Sequence, residues 1–140
     1  MNIRSVKTKE DIDKCEGVIL ELRPHLKDKN IWHAYQLQQK ENFELLFIEV
    51  DGIAVAFIGY RTQHLFFSGK TIYIDDLCSL PEHREKGYGG KLLDHVFKIA
   101  KEQNCDTVSL DSGHFRYGAH KLYLNKGFKI MAHHFNYSLR

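Results

Sequence analysis

Residues 72–93 read IYIDDLCSLPEHREKGYGGKLL, and this stretch decides the fold. It continues a run over residues 71–80 that is rich in Ile, Tyr and Thr, which favours a β-strand. Pro81 marks the end of the strand because proline has no N–H group to donate to a neighbouring strand. After the loop, apolar residues recur at spacings of one, three and four, which indicates a helix lying on a sheet. The stretch therefore predicts a strand, a loop and a helix in succession.

The loop is rich in glycine at the point where the helix begins. Gly87, Gly89 and Gly90 carry no side chains, so several backbone N–H groups can point at one anion while the helix dipole favours its negative charge. Three cations surround the same point, namely Arg84, Lys86 and Lys91. These features predict a pyrophosphate site, and the alternative is a glycine-rich connection without a ligand.

Other phosphate-binding motifs do not fit this loop. No GKS or GKT follows the glycines, as a nucleoside triphosphate loop requires. Leu92 occupies the place of the third glycine of the dinucleotide motif GxGxxG. Nucleoside triphosphates and NAD are therefore disfavoured as ligands.

The region before this segment predicts two strands in a hairpin, a further strand and two helices. Asp51 and Gly52 form the hairpin turn, because this pair readily adopts positive φ values. Thr8 supplies an N-cap for the first helix, and Pro24 stops it because proline disfavours helical geometry in the residue before it. The predicted elements are strands over residues 2–6, 44–50 and 53–60 and helices over residues 9–22 and 32–41.

The region after the segment predicts three strands and one helix. Gly127 is a natural left-handed end for the helix. The predicted strands cover residues 108–110, 128–131 and 134–139, and the helix covers residues 115–125. The whole order predicts one mixed α/β domain over residues 1–140, with three layers and a strand-loop-helix unit at its centre.

Composition narrows the class of protein. The 140 residues include 20 Lys and Arg against 18 Asp and Glu, a net charge of +2 without the clustered basic face that nucleic acid requires. Three widely spaced cysteines suggest neither a disulfide framework nor a zinc site, and no metal is expected. The N-terminal residues contain no apolar core of signal-peptide length, and no segment approaches the roughly 20 apolar residues of a membrane span. We therefore expect a soluble cytoplasmic protein with reduced thiols and no membrane or nucleic-acid partner.

Two ordered motifs carry a resemblance to a known family. The RxxGxG pattern of Arg84, Gly87 and Gly89 resembles the acetyl-CoA signature of the GNAT N-acetyltransferases. About thirty residues later, SGHFRYGAHKLYLNKGF resembles the family's second sequence block, whose matching residues here are Ala119, Tyr123, Gly127 and Phe128. The order of strands and helices fits the family over nearly all of the chain.

The resemblance implies a three-layer α/β/α fold with a mostly antiparallel sheet and an acetyl-CoA site at the central strand-loop-helix unit. It implies that N–H groups of residues 84–90 hold the pyrophosphate and that the backbone of residues 77–79 pairs with the pantetheine arm. The residues implied to bind this co-substrate are Leu77, Cys78, Ser79, Arg84, Glu85, Lys86, Gly87, Tyr88, Gly89, Gly90 and Ala119. Arg116 departs from the family, which often has Asn there, so no side-chain contact is carried over at this position.

Acetyl transfer to an amine needs a neutral amine, a stabilised oxyanion and a proton for the departing thiolate. Asp75 and Asp76 are candidates for accepting the amine's proton and for binding a cationic acceptor. Adjacent strand residues face opposite sides unless a β-bulge redirects one of them. The alternative is that the two carboxylates merely solvate the strand.

The remaining roles fall to Tyr123 and to backbone groups. The resemblance implies that Tyr123 lies near the sulfur as a general acid, whereas spacing alone favours a packed aromatic. The N–H of Cys78 or Ser79 is the expected oxyanion donor. A covalent acetyl-thioester on Cys78 is disfavoured, since no positive neighbour is evident that would lower the pKa of this thiol.

The acceptor side of the site is less defined. The second helix and the residues after it contribute Trp32, His33, Tyr35 and Phe43, which form either the wall of an acceptor pocket or an amphipathic face packed on the sheet. The stretch IYIDDL also resembles the corresponding strand of diamine acetyltransferases, which favours a small, polyamine-like amine. A protein-acetylating enzyme and a CoA-binding sensor without turnover are the alternatives. The sheet edges near the closing strands suit a homodimer, and the sequence does not decide this.

Overall fold

The computed structural model of the protein describes residues 2–140. Two short 3-10 turns cover Pro24–Leu26 and Pro81–His83. The strands are β1 Ile3–Ser5, β2 Phe43–Val50, β3 Ile53–Leu65, β4 Gly69–Ser79 and β5 Thr107–Leu110. The helices are α1 Lys9–Leu22, α2 Ile31–Gln39, α3 Tyr88–Glu102 and α4 Tyr117–Asn125.

The five strands form one sheet in the order β1-β2-β3-β4-β5. The first three pairings are antiparallel, and β4 pairs with β5 in parallel. The parallel pairing requires the crossover through α3, which connects the end of β4 to the start of β5. A mixed α/β fold with a mostly antiparallel sheet is therefore confirmed.

Helices cover both faces of the sheet. The central strands carry apolar side chains on both faces, so each face needs a cover. On one face, Leu92, Leu93 and Val96 of α3 pack against Ile58 and other residues of β2, β3 and β4. On the opposite face, side chains of α1 and α2 pack on the sheet; those buried there include Ile12, Val18, Tyr35, Phe47 and Phe57. The central strands are thus buried on both sides.

Local signals in the sequence are reflected in the backbone. Thr8 caps α1 in a capping box with Asp11, whose carboxylate accepts the N–H of Thr8. Asp51 and Gly52 have φ values of 52° and 85°, as the predicted tight turn requires. Gly127 has φ 99° after the end of α4.

The prediction of two closing strands over residues 128–131 and 134–139 is wrong. Residues 128–140 have no regular secondary structure, and apolar side chains such as Ile130 and Phe135 are exposed. Alternation of apolar and polar residues makes a strand only where a neighbouring strand supplies hydrogen bonds. Within residues 2–140, β5 is an edge strand paired only with β4. In the same range, no helix is both long enough and apolar enough to span a membrane.

Candidate active site

An opening lies between β4 and β5 at the carboxyl ends of these strands. The two strands pair up to Ile74 and Leu110. Beyond Ile74, β4 continues to Ser79 and pairs only with β3. One edge of β4 is therefore unpaired over residues 75–79, where an extended ligand can add as a further strand.

Hydrogen bonds of β4 identify the backbone groups that face this opening. The N–H of Leu80 donates to the carbonyl of Val55 on β3 at 2.8 Å. Successive residues of a strand direct their backbone groups to opposite sides, so the N–H groups of Leu77 and Ser79 point away from β3. The alternation favours Ser79 over Cys78 as an oxyanion donor and adds Leu77 to the candidates.

A β-bulge in β4 redirects the acidic pair. Gly59 pairs with Asp76 and Tyr60 pairs with Ile74, so Asp75 is the extra residue of the bulge. A side chain at Gly59 would meet both the ring of Phe43 and the carboxylate of Asp76. The two aspartates therefore need not face opposite sides of the sheet, as a regular strand would require.

Each carboxylate of the pair has an arginine partner. Arg61 lies over the ring of Phe43 and binds Asp75 in a fork, with Nε–Oδ1 at 3.0 Å and Nη2–Oδ2 at 2.8 Å. Arg23 donates to Asp76 Oδ1 from Nη2 at 2.6 Å and from Nε at 2.9 Å. Both carboxylates thus lie on the face that α1 and α2 cover. The cluster of two arginines and two aspartates carries no net charge.

Sequence reasoning missed both arginines. Arg23 follows the end of α1, and Arg61 lies 14 residues before Asp75 on the neighbouring strand. No spacing in the sequence links them to the acidic pair, because the pairing depends on the register of β3 and β4 and on where α1 ends. Burial raises the pKa of Asp76, and the charge of Arg23 opposes this rise.

The glycine-rich loop forms the start of α3. Gly87 has φ 82° and occupies the N-cap position, so the first N–H groups of α3 are not blocked by a side chain there. A side chain on Gly89 would lie 3.2 Å from Leu122 of α4. The glycines therefore leave a cradle at a helix N-terminus and also allow α4 to pack closely. This arrangement fits a pyrophosphate group.

Side chains of the loop divide between the surface and the core. Arg84 donates to the carbonyl of Ser79 at 3.3 Å and pairs with Glu21 at 3.5 Å, so it joins the loop to β4 and α1. Glu85 has φ 63° and is exposed, as is Lys86. Tyr88 is buried in the core on the α3 face, so only its backbone is available to a ligand.

Tyr123 lies on α4, is half-buried and packs against the core on the α3 face of the sheet. Its ring packs edge-on against Phe128 at 5.8 Å between centroids. Burial raises the pKa of the Tyr123 hydroxyl, the charge of Arg116 opposes this rise, and the Cys78 thiol adds to it. Ala119 lies one turn earlier on the same helix and is half-buried.

The surroundings of Cys78 disfavour a thiolate. Burial raises the pKa of its thiol, although Arg84 and Arg116 oppose this rise. The thiol lies 3.5 Å from the carbonyl oxygen of Ser79, to which it donates. The cations near Cys78, which the sequence did not reveal, therefore do not compensate for burial.

The aromatic residues of α2 are mostly packed. Tyr35 is 4% exposed, and its hydroxyl donates to the carbonyl of Val6 at 3.3 Å. Its ring contacts Phe43 and stacks on Trp32, which is half-buried, whereas His33 is exposed. Tyr35 and Phe43 are therefore packed on the sheet, which is the alternative to a role in the wall of an acceptor pocket. An open hollow of about 600 Å³ lies beside them near β1 and β2, whereas the acidic pair and the glycine loop are on β4 and α3.

Comparisons with known proteins show which family and which relatives the chain is similar to. The chain matches the acetyltransferase (GNAT) family over residues 10–128. It is 31% identical over 137 residues to the uncharacterized N-acetyltransferase YhfO of Bacillus subtilis (strain 168), with 92% of this chain and 90% of YhfO covered. It is 28% identical over 137 residues to the uncharacterized N-acetyltransferase YhdJ of the same strain, with 96% of each chain covered. A solved structure of the aminoglycoside N-acetyltransferase AAC(6')-Iy in complex with CoA superposes with a TM-score of 0.83 at 19% identity, with 99% of this chain and 94% of that chain covered.

Proposed function

Since the chain belongs to the acetyltransferase (GNAT) family, we propose that it transfers the acetyl group of acetyl-CoA to the primary amine of a small acceptor, by direct attack in a ternary complex. The observation that carries this proposal is the unpaired edge of β4 over residues 75–79, which leads into the glycine cradle at the start of α3. An edge that accepts an extended arm and a cradle that accepts a pyrophosphate match the two parts of CoA.

Residues of the loop and of β4 would hold the donor. The N–H groups of residues 84–90 bind the pyrophosphate, with added charge from Lys86 and Lys91. The backbone of Leu77, Cys78 and Ser79 pairs with the pantetheine arm. Ala119, which is half-buried on α4, provides a small surface against the same arm.

Backbone N–H groups and one tyrosine hydroxyl at the opening act on the charges that develop during transfer. The N–H groups of Leu77 and Ser79 stabilise the oxyanion as the amine attacks. The hydroxyl of Tyr123 donates a proton to the departing sulfur. Because burial raises the pKa of Tyr123, this hydroxyl keeps its proton at neutral pH and is available as an acid.

Asp75 and Asp76 receive the amine and its proton in this proposal. An alkyl ammonium has a pKa of about 10.4 in water and must lose its proton before attack. Each carboxylate accepts that proton directly or through water while its arginine partner holds it in position. Because the cluster carries no net charge, it does not by itself select a polyamine over other small amines. The proposal is therefore a small primary amine, of which polyamine-like compounds are one class.

The test is thiol release from acetyl-CoA across polyamines, aminoglycosides, amino acids and lysine peptides, with acetyl-CoA binding measured by calorimetry. Turnover with one class of small amine supports the proposal and identifies the acceptor class. Turnover only with peptides overturns the small-acceptor part. Tight binding without turnover on any amine favours a CoA-binding sensor, and absence of binding contradicts the donor site itself.

A further inference from the structure

Residues 128–140, here called the exposed tail, run from the core past the end of β5. The N–H of Phe128 donates to the carbonyl of Tyr123 at 3.0 Å, which fixes the start of the exposed tail to α4. Farther along, Nδ1 of His134 lies 3.3 Å from the carboxylate of Asp111, the residue that follows β5. The exposed tail therefore touches the carboxyl end of β5 but does not pair with this strand.

The exposed tail carries the residue pattern of a strand with one apolar face. Residues 134–140 read HFNYSLR, in which polar and apolar residues alternate. Such alternation is typical of a strand that packs one face on a core and turns the other face to water. Here Phe135, Tyr137 and Leu139 are 91%, 87% and 89% exposed, so the apolar face is left in water.

The exposed apolar face is large for a single chain. An aromatic side chain buries about 150–250 Å² when it packs, so Phe135 and Tyr137 together expose roughly 300 Å². The largest apolar patch on a typical monomer is about 300–600 Å² and often marks an interaction site. Two side chains of the exposed tail alone reach that size.

The outer edge of β5 is open. The N–H of Asp106, immediately before β5, donates to the carbonyl of Lys70 at 2.7 Å and so points toward β4. Because successive residues of a strand direct their backbone groups to opposite sides, the N–H groups of Thr107 and Ser109 point away from β4. Within residues 2–140, no strand pairs with this outer edge. A further strand can therefore add there.

The core beside this edge is incomplete. Ile72 and Ile74 of β4 are buried, whereas their partners on β5 are half-buried in the same cluster. These partners are Val108 and Leu110. Phe97 of α3 packs on the same cluster and is also half-buried. A strand added at the edge, with its apolar side chains on the α3 face, would cover these residues.

We propose that residues 134–139 of one chain add as a strand to the open edge of β5 in a second copy of the chain, and that the second copy's exposed tail does the same in return. This inference goes beyond the proposed function and does not depend on it. Each copy carries one tail and one edge, so reciprocal exchange covers both in a closed two-fold dimer.

The area involved favours a second copy over an unrelated protein. The aromatic side chains of two tails, counted with the surfaces they cover, amount to roughly 1,200 Å². A stable interface buries about 1,200–2,000 Å², so the reciprocal contact reaches the required size. A single tail bound to an unrelated protein covers only half of that area and leaves the edge of β5 open.

The first experiment measures mass by light scattering over a wide range of protein concentrations. It compares the wild type with a chain lacking residues 134–140, with Ser109→Pro and with Ser109→Ala. Proline at residue 109 removes an outward N–H and leaves the groups that face β4 in place, whereas alanine keeps that N–H. We expect dimers of the wild type and of Ser109→Ala, and a monomer of the shortened chain.

Ser109→Pro should raise the dimer dissociation constant at least about tenfold, since one N–H is lost at each of the two edges. Thr107→Pro is a second edge variant, at the first residue of β5, and should act in the same direction. Circular dichroism checks that each variant keeps the wild-type fold.

The second experiment follows hydrogen exchange in the exposed tail. We expect the amides of residues 135–139 to exchange slowly in the wild-type dimer and quickly once dilution gives the monomer. In Ser109→Pro, at the concentration where the wild type is dimeric, the same amides should exchange quickly. Protection that depends on concentration shows that the partner strand belongs to another chain.

A wild type that stays monomeric overturns the proposal. Slow exchange in that monomer would mean that the exposed tail covers its own edge, and fast exchange that no copy of the chain covers it. A dimer that survives removal of residues 134–140 uses another surface, and one that needs the tail but tolerates both proline variants pairs tail with tail. Either result overturns the proposal. None of these results bears on acetyl transfer, which the thiol-release assay tests separately.

Discussion

Arg23 and Asp76 are joined by two hydrogen bonds to one carboxylate oxygen, at 2.6 and 2.9 Å, across 53 residues of sequence. The same guanidinium donates to the carbonyl of Asp75 at 3.0 Å. Arg23 is the C-cap residue of α1, so this contact fixes the end of α1 to the bulge of β4. The acceptor side of the opening is thereby held by one helix end and one irregular strand.

Replacing Arg23 by Met leaves the Asp76 carboxylate half-buried without its partner. We expect the free energy of unfolding to fall by about 1.5–3 kcal/mol at pH 7, since a charged hydrogen bond is lost. Burial raises the pKa of Asp76 in the folded state above its unfolded value, and loss of Arg23 raises it further. The folded state then binds the proton more tightly, so the deficit shrinks as the pH falls from 7 toward 4.

Urea denaturation of the wild type and of Arg23→Met at several pH values measures this deficit. Arg23→Met combined with Asp76→Asn is the matched control, because it removes the unpartnered charge and should show a smaller loss at pH 7, one that does not shrink as the pH falls. A deficit of Arg23→Met that stays constant from pH 7 to pH 4 contradicts the assignment of the effect to Asp76.

Tyr123→Phe removes the proposed acid and keeps the ring that packs on Phe128. We expect kcat to fall by about 100-fold or more while the dissociation constant of acetyl-CoA stays the same, because a general acid contributes on that scale in the transition state. Burial raises the pKa of Tyr123, so the wild-type rate should show no loss from Tyr123 ionisation below about pH 10.

Steady-state kinetics from pH 6 to pH 10, with calorimetry of acetyl-CoA, provide the measurement. Tyr117→Phe is the control, because Tyr117 lies on the same helix and is 76% exposed. Unchanged turnover of Tyr123→Phe would make this residue a packed aromatic and assign the proton to water or another group.

Much of the fold could be predicted because its signals are local. Asp51 and Gly52 allow the hairpin turn, Thr8 caps the first helix, and Gly127 gives the left-handed end of α4. Each of these depends on a few neighbouring residues. The closing strands failed because residues 128–140 contain the alternation of a strand, whereas strand pairing depends on a partner edge that alternation does not specify.

In the candidate site too, the features set by local sequence could be predicted and those set by tertiary structure could not. The cradle residues were named correctly as a loop before a helix, since glycines and proline act on their own backbone. The partners of the acidic pair were missed because Arg23 and Arg61 reach Asp76 and Asp75 only through tertiary structure. The sequence allowed a bulge that redirects one of the two aspartates but did not place it at Asp75. Its position follows from how β3 pairs with β4.

Cys78→Ala should retain turnover within about threefold. Burial raises the pKa of the Cys78 thiol, so little thiolate is present at neutral pH to attack a thioester. Only its backbone is assigned a role in donor binding. The check is kcat at pH 7.5 together with intact-mass spectrometry of the wild type after acetyl-CoA is added without acceptor. An acetyl group trapped on Cys78, with loss of activity in Cys78→Ala, would replace direct attack by a covalent route.

Gly59→Ala should disrupt the bulge. A methyl group at Gly59 would lie 2.3 Å from the Phe43 ring and 3.4 Å from the Asp76 carboxylate, so the ring must move or the strands must separate. We expect a loss of about 1–3 kcal/mol in the free energy of unfolding. We also expect a rise in the KM for the acceptor, because the ring that must move also supports the Arg61 partner of Asp75.

Gly17→Ala in α1 is the matched control for Gly59→Ala, since a methyl group at Gly17 meets nothing within 4 Å and stabilises the helix by about 1 kcal/mol. If Gly59→Ala is as stable as the wild type and binds acceptor equally well, the close contact of Gly59 with Phe43 is not what holds the acidic pair in place.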